Sequence, residues 1–247
     1  MRELARVYEI LSNEGSFALM RAAIRYIKKI ISAPYSLMQF KRRQKDQDLS
    51  TLVDLVVRPD GIINAVQNKS EILKLLKLLK GRSPRLVIEI GTLNGGTLFL
   101  FSHVASDNAR LISIDLPGGI HGGGYPFWKI PLYKHLLCEG RRVTLVRADS
   151  HDENTIHKVT NLLRGEKVDF LFIDGDHTYE GVSRDFHNYK QLVKPGGIIA
   201  FHDIVRHRTD TRAEVDRLWS ELKKVYRYDE FVANPTQERY GIGVIYV

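Results

Sequence analysis

Short apolar runs alternate with amphipathic stretches from residue 86 to the end of the chain. The apolar runs predict strands, and stretches with apolar residues three or four positions apart predict helices. The predicted strands lie at 86–90, 110–115, 143–148, 168–173, 197–202, 228–233 and 241–247. The predicted helices lie at 70–80, 96–105, 130–139, 153–164, 179–193 and 212–225. This alternation predicts an α/β protein with a Rossmann-like, doubly wound, mostly parallel seven-stranded sheet and helices on both faces.

The first predicted strand ends in a glycine-rich turn, which contains Gly91, Gly95 and Gly96 and leads into the helix at 96–105. Glycine lets the backbone approach a ligand closely, and a helix N-terminus offers unpaired N–H groups. The second strand ends in an acid, Asp115, 24 residues after Gly91. Because a carboxylate at about this spacing suits the hydroxyls of a ribose, the two features together indicate a nucleoside-cofactor site.

The first fifty residues carry much of the net charge of +8, with ten Lys and Arg against five Asp and Glu. We expect residues 1–50 to form a basic helical arm and linker, and 51–247 to form the main domain. An apolar stripe at helical spacing runs along the arm: Phe17, Met20, Ile24, Ile27 and Ile31. Two roles are open for it: contact of residues 15–32 with an anionic membrane surface, or packing on this chain or on a second copy.

The remaining composition narrows the function classes. Residues 51–247 hold 27 Lys and Arg against 24 Asp and Glu, a balance that argues against a nucleic-acid groove. The single cysteine, Cys138, excludes an internal disulfide and a multi-cysteine zinc site. No apolar run approaches the ~20 residues that span a bilayer. We therefore expect a cytoplasmic protein, with peripheral contact at the inner membrane surface if the arm binds lipid.

A loop at 117–128 follows Asp115 closely and contains five glycines. Its aromatic residues are Tyr125, Phe127 and Trp128. Because it would overhang the cofactor end of the sheet, it is either a substrate lid or an ordered loop whose aromatic side chains pack down.

Ionisable side chains follow two apolar runs of the predicted sheet. Asp174, Asp176 and His177 come directly after the run at 168–173, and His202 and Asp203 end the run at 197–202. The carboxyl ends of neighbouring parallel strands meet at one edge of a sheet, so these groups can lie together. A purely structural fold rarely gathers so many ionisable groups, because burying unpaired charge is costly.

The ordered blocks resemble those of class I S-adenosylmethionine-dependent methyltransferases. They are the glycine turn, Asp115, the segment from Ile173 to Val182, Asp185, the segment from Leu192 to Gly197, and Phe201-His202-Asp203. The group that this sequence most resembles contains macrocin-type sugar O-methyltransferases and the so-called cephalosporin hydroxylase proteins. The likeness covers roughly residues 62–247 and leaves out the arm.

The resemblance implies a role for each matching residue. The binding site for the cofactor S-adenosylmethionine would be lined by Glu89, Gly91, Asn94, Gly95, Thr97, Asp115, Asp149 and Ser150. Asp174, His202 and Asp203 would hold a divalent metal such as Mg, Mn or Fe. His177 would act as general base, so that His177 and Asp174 are the catalytic residues. The base and metal favour methyl transfer to oxygen, and the acceptor would be a hydroxyl of a sugar, glycolipid or natural product.

One position departs from the family pattern. Metal-using sugar methyltransferases of this type have Glu-Asp or Asp-Asn where this chain has His202-Asp203. Magnesium prefers oxygen ligands, so a histidine suits manganese, iron or zinc better, or serves a site that holds no metal. His202 could equally orient a ligand or the substrate.

Three other functions compete with methyl transfer. A nicotinamide dehydrogenase is disfavoured because the turn reads G-x-x-x-G-G and no second nucleotide-binding half is evident. A metal-dependent hydroxylase is suggested only by the name of some relatives. A catalytically silent cofactor-fold module, attached through the arm to a membrane or partner, is the non-enzymatic alternative.

Overall fold

The computed structural model describes residues 20, 21, 23, 24, 27, 31, 35–42, 47–58, 61, 63–118, 124–136 and 140–247. The chain divides into two compact units, residues 1–46 and 47–247. In the first unit, the described residues from 20 to 42 are helical. Four apolar side chains of the predicted stripe are described there, and all are exposed: Met20, Ile24, Ile27 and Ile31. Phe17 and most of the predicted arm lie outside the described residues.

The second unit begins with two helices. Helix α1 (Leu49–Val56) spans the predicted boundary at residue 50 between the linker and the main domain, and Asp48 caps it by accepting from the Thr51 N–H. Helix α2 (Lys69–Arg82) is capped by Asn68, whose side chain accepts from the Ser70 N–H. Helix α2 also continues through Gly81, so the predicted stop at Lys80 is corrected to Arg82.

Strands and helices then alternate as predicted. The strands are β1 (Leu86–Ile90), β2 (Arg110–Asp115), β3 (Arg142–Arg147), β4 (Val168–Ile173), β5 (Val193–His202), β6 (Arg227–Phe231) and β7 (Ile242–Tyr246). The helices are α3 (Gly96–Val104), α4 (Lys129–Leu136), α5 (Glu153–Leu163), α6 (Tyr179–Tyr189) and α7 (Val215–Leu222). A short 3-10 helix, Lys190–Leu192, follows α6.

Several boundaries differ from the predictions by a few residues, and two of the differences have an identifiable reason. Strand β5 begins at Val193 because Val193 pairs with Val168, and a register shift before Phe170 accommodates the intervening proline and glycines. Strand β6 ends at Phe231, and soon after it the chain leaves the sheet, where the Ala233 N–H binds the Glu71 carboxylate.

The seven strands form one sheet in the order β3-β2-β1-β4-β5-β7-β6. All neighbours are parallel except β7, which runs antiparallel to β5 and β6. This confirms the mostly parallel, doubly wound architecture. The strand order reverses between β1 and β4, and such a reversal opens a crevice at the carboxyl ends of the strands. The registers bring Ile90, Ile173 and Phe201 level with one another at that edge.

Helices cover both faces of the sheet. On one face, residues of α5, α6 and α7 pack with Ile88, Ile90 and Ile173 in a single apolar core. On the other face, Phe101 of α3 makes edge contacts with Phe170 and Phe172 of β4, at 5.1 Å between ring centres. Among the described residues, no helix is both long and apolar enough to cross a membrane.

Candidate active site

The glycine turn after β1 is fixed by close backbone contact with the end of β4. Gly91 has a φ of +88°, and a Cβ there would lie 1.9 Å from the carbonyl oxygen of Asp174. Gly95 also has a positive φ and precedes the first turn of α3, where no side chain caps the helix. The turn therefore requires glycine and leaves helix N–H groups for an anionic or polar ligand group.

The remaining turn residues are held from α4. The Lys129 ammonium donates to the Asn94 side-chain oxygen at 2.7 Å, and the Tyr133 hydroxyl donates to the Leu93 carbonyl at 3.1 Å. Thr97 lies buried in the first turn of α3. These contacts place Asn94, Gly95 and Thr97 at one edge of the sheet, together with Gly91.

The predicted ribose acid, Asp115, ends β2 beside this turn. Its carboxylate accepts from the Leu93 N–H at 2.6 Å, and a Cβ on Gly124 would meet it at 2.8 Å. Burial raises the pKa of Asp115 to about 6, although the hydrogen bonds from Leu93 and Thr92 oppose this shift. A carboxyl that titrates near neutrality would make hydrogen bonding at this position sensitive to pH.

Glu89 lies beneath the turn and has no exposed surface. The Thr92 hydroxyl donates to its carboxyl at 2.7 Å and lies 2.6 Å from the Ser113 hydroxyl. Burial raises the pKa of Glu89 to about 8, against the hydrogen bonds of Thr97 and Thr92. The group is therefore mainly protonated at pH 7 and supports the turn from below, while the other predicted cofactor residues lie above it.

The described part of the glycine-rich loop packs in two ways. Tyr125 is buried and contacts Tyr133 edge-on at 4.9 Å between ring centres. Phe127 is 74% exposed, and the Arg147 guanidinium lies 3.7 Å from its ring centre. Arg147 also donates to the Tyr125 carbonyl. Tyr125 thus anchors the loop near Asp115 while Phe127 faces solvent; residues 119–123 lie outside the described part of the loop.

The loop after β3 contains Asp149 and Ser150, the residues predicted to flank the adenine. Tyr189 of α6 donates from its hydroxyl to the Ser150 carbonyl at 3.0 Å. Asp149 accepts from the His151 N–H at 2.8 Å. The His151 ring in turn meets Asp185 of α6 at 3.2 Å. The adenine-side loop is therefore attached to α6 by both its backbone and its side chains.

The acidic cluster forms where β4 and β5 end side by side. His177 lies between two carboxylates, with Nε2 3.3 Å from Asp174 and Nδ1 3.1 Å from Asp203. One ligand atom each from Asp174, His177 and Asp203 lies within 4.8 Å of the others, so these three could hold a metal ion. The metal ligands predicted from the sequence were Asp174, His202 and Asp203. The structure groups Asp174 and Asp203 with His177 instead of His202.

His202 has a different place in the cluster. It is buried, its Nδ1 lies 3.0 Å from Asp174, and its ring lies against Tyr240 at 5.8 Å between ring centres. His207 adds a third imidazole, 3.1 Å from the Asp203 carboxylate. The two carboxylates are therefore surrounded by histidines, which orient them.

The charges in this cluster shift one another's protonation. Burial opposes ionisation of Asp203, but His202 and the hydrogen bonds from His177 and His207 hold its pKa well below the ordinary range. Burial likewise opposes protonation of His177, but Asp174 and Asp203 outweigh it and raise the pKa of His177 to about 10. Without a metal, His177 is a cation at neutral pH and must first lose a proton before it can act as a base.

A segment that no sequence pattern indicated crosses this edge from the amino-terminal side. The Asn64 carbonyl accepts from the Gly96 N–H, and the Gln67 side-chain amide donates to Asp174 at 2.9 Å. Glu71 is fully buried and accepts hydrogen bonds from the loop between β6 and β7. The sequence signal for Glu71 is an acidic residue in the first turn of a predicted helix, a position that is common for Glu without any long-range contact.

Comparison with known proteins agrees with this geometry. Residues 88–204 match the family model described as a methyltransferase domain. Residues of this chain are 36% identical over 121 positions to an uncharacterised protein, R132, of Acanthamoeba polyphaga mimivirus. The match covers 49% of this chain and 52% of that protein. They are 30% identical over 133 positions to tapetum-specific methyltransferase 1 of Arabidopsis thaliana. That match covers 53% of this chain and 52% of that protein. The chain thus spans about half the length of both relatives.

Among solved structures, the chain is similar to an O-methyltransferase from Bacillus cereus, solved in complex with S-adenosylhomocysteine. The TM-score is 0.54 at 16% identity, and the match covers 86% of this chain and 91% of that one. This likeness confirms the fold. Together with the family match over residues 88–204 and the turn at its start, it supports a class I S-adenosylmethionine-dependent methyltransferase domain in this chain.

Proposed function

We propose that this protein is an O-methyltransferase that transfers the methyl group of S-adenosylmethionine to a hydroxyl acceptor. One observation carries the proposal: the glycine turn and the acid–histidine cluster share one edge, where Gly91 contacts the backbone of Asp174. Methyl transfer is an in-line displacement at a sulfonium carbon, so much of the rate comes from positioning the two reactants. A cofactor on the turn would bring its methyl group towards the cluster.

The donor set of the cluster fits a divalent metal. Two carboxylates and one imidazole, from Asp174, Asp203 and His177, suit manganese, iron or zinc better than magnesium. A metal bound there would lower the pKa of an acceptor hydroxyl. His202 and Gln67 would fix the orientation of Asp174, and His207 that of Asp203. In the absence of a metal, His177 remains the candidate base once its proton has left.

The proposed acceptor is a hydroxyl of a sugar, a glycolipid or another natural product. The resemblance to sugar O-methyltransferases supports this class, and the exposed Phe127 beside Arg147 offers a flat surface on which a sugar or aromatic ring could stack. Two other functions stay as alternatives: a metal-dependent hydroxylase-like enzyme, and a silent module that binds the cofactor without turnover.

Calorimetric titration with S-adenosylhomocysteine tests the cofactor part of the proposal. We expect micromolar binding by the full chain, lost in Asp115→Ala and retained in Asp107→Ala, an exposed acid near the other end of β2. Transfer of labelled methyl from S-adenosylmethionine to soluble sugars, glycolipids and aromatic alcohols, with and without Mn²⁺, then identifies the acceptor class. Oxygen uptake with Fe²⁺ would favour the hydroxylase, and binding without turnover would favour the silent module.

We further propose that the first unit contacts an anionic membrane surface. The exposed Ile24, Ile27 and Ile31, together with the basic residues of the arm, support this partner. The test is flotation of the full chain with vesicles containing anionic lipid, compared with neutral vesicles. Ile27→Asn with Ile31→Asn should reduce binding, and Val225→Asn, an equally exposed apolar residue of the second unit, should not. Unchanged flotation would contradict the proposal, and a change in oligomeric state would instead favour a homo-oligomer.

A further inference from the structure

A buried histidine–aspartate pair lies under the adenine side of the predicted cofactor site. His151 follows Asp149 and Ser150 directly, and its Nε2 lies 3.2 Å from an Asp185 carboxylate oxygen. Asp185 has no exposed surface, whereas the His151 side chain is 14% exposed. The same ring nitrogen lies 3.1 Å from the Gly181 carbonyl at the start of α6. The imidazole therefore joins the loop after β3 to helix α6.

Asp185 also contacts the loop that carries the cluster. A Cβ on Gly175, the residue after Asp174, would lie 3.3 Å from the second carboxylate oxygen of Asp185. This carboxylate is thus placed between the loop after β3 and the loop after β4. Both loops follow strands at the same edge of the sheet, so the pair lies between two loops that border the predicted cofactor site.

The charges around His151 favour its protonated form. A buried carboxylate is costly unless it is paired, and among the described ion pairs Asp185 has His151 as its partner. The hydrogen bond to Asp185 raises the pKa of His151, while burial and Arg184 oppose this shift. Asp149 lies 3.8 Å from the other ring nitrogen and also favours the cation. Tyr189, the remaining titratable neighbour, is kept neutral because burial raises its pKa.

We propose that His151 and Asp185 act as positioning residues, an ion pair that holds the adenine-side loop in its cofactor-binding form. The proposal rests on the cofactor assignment made above. The positively charged imidazole attracts Asp185 and keeps Asp149 and Ser150 in place. When His151 loses its proton, the attraction between its positive charge and the Asp185 carboxylate is lost, and the loop is held less firmly. Cofactor affinity should therefore fall as the pH rises through the pKa of His151.

The test is the dissociation constant of S-adenosylhomocysteine, measured calorimetrically with the full chain from pH 5.5 to pH 9. We compare wild type with His151→Gln, Asp185→Asn and the control His157→Gln, an exposed histidine of α5. We expect wild type and the control to lose affinity about tenfold more across this range than His151→Gln does. Asp115 and Glu89 also titrate in this range, but their contributions are the same in all four proteins, so the difference between profiles reports His151.

Two further comparisons make the outcome decisive. His151→Gln combined with Asp185→Asn should bind no more weakly than the weaker single variant, because both changes remove one interaction. Near-ultraviolet circular dichroism confirms that each variant is folded. Identical pH profiles for wild type and His151→Gln would overturn the inference while leaving the proposed function intact. Absence of binding by the wild type at every pH would instead overturn the cofactor assignment itself.

Discussion

Gly91 and Asp174, which end neighbouring strands, are packed backbone against backbone. A Cβ on Gly91 would lie 1.9 Å from the Asp174 carbonyl oxygen and 2.4 Å from its carbonyl carbon. The Asp174 N–H also donates to the Ile90 carbonyl at 2.9 Å. The position of the first cluster carboxylate is therefore tied to the cofactor turn through main-chain atoms, which cannot rotate out of the way.

Replacing Gly91 with alanine should disrupt both the glycine turn and the position of Asp174. The Cβ would collide with main chain, and the φ of +88° adds strain of its own, so we expect a loss of about 4 kcal/mol or more in unfolding free energy. Gly165→Ala is the matched control, since its φ is +83° but no atom lies within 4 Å of the added Cβ. Gly165→Ala should lower the unfolding free energy, measured by urea unfolding, by about 1 kcal/mol. Equal losses in the two variants would show that the contact is unimportant.

The sequence was sufficient to predict the strands and their common edge. Buried parallel strands such as β1 and β4 appear as continuous apolar runs, and the polar residue that ends each run marks its carboxyl end. The grouping of Asp174, His177, His202 and Asp203 followed from adjacency of β4 and β5, which the structure confirms. The pattern of apolar and polar residues predicts the strands and their carboxyl ends because each strand is specified by its own local run of sequence.

The neighbours that orient the cluster could not be predicted in the same way. Gln67 reaches Asp174 across 107 positions of sequence, and Glu71 reaches Gly241 across 170. Such contacts depend on how the segment before α2 crosses the finished sheet, which no local pattern encodes. The exchange of His177 for His202 in the metal-compatible set has a similar cause.

Glu89 should make stability depend on pH. Its pKa is raised from 4.5 to about 8 by burial, so the unfolded chain ionises first as the pH rises. Unfolding free energy should therefore fall by several kcal/mol between about pH 4.5 and about pH 8 and level off above that. Glu89→Gln keeps the shape of the protonated group and should flatten this slope. The measurement is urea unfolding at pH 5, 7 and 8.5.

The control for Glu89 is Glu166→Gln, an exposed acid that pairs with Arg110. It should leave the slope of the wild type unchanged. Parallel pH profiles for Glu89→Gln and wild type would mean that Glu89 is ionised in the folded protein. In that case Glu89→Gln should also weaken S-adenosylhomocysteine binding, whereas a protonated Glu89 predicts that binding is retained.

Glu71 should hold the loop between β6 and β7 in place. Its carboxylate accepts from the Ala233 N–H at 2.9 Å, from the Gln237 amide at 2.7 Å and from the Gly241 N–H at 2.8 Å. Glu71→Ala leaves the Gly241 N–H without its acceptor, and leaves the Ala233 N–H and the Gln237 amide with only their bonds to Gln237 and Arg239. We expect a loss of about 3 kcal/mol in unfolding free energy. Trypsin should also cut faster after the exposed Arg239. Lys77→Ala, at an exposed position of the same helix, should change neither measurement.

If the cluster binds a metal, substitutions of its histidines should weaken metal binding to different extents. Because His177 lies between Asp174 and Asp203, His177→Ala removes a ligand and should weaken Mn²⁺ binding more than tenfold. His202 touches Asp174 through one nitrogen and acts by orienting it, so His202→Asn should weaken binding less. His187→Asn, an exposed histidine of α6, should have no effect. Free Mn²⁺ measured by electron paramagnetic resonance during titration gives the affinities. The reverse order would assign the ligand role to His202, and three equal affinities would exclude the cluster as the site of binding.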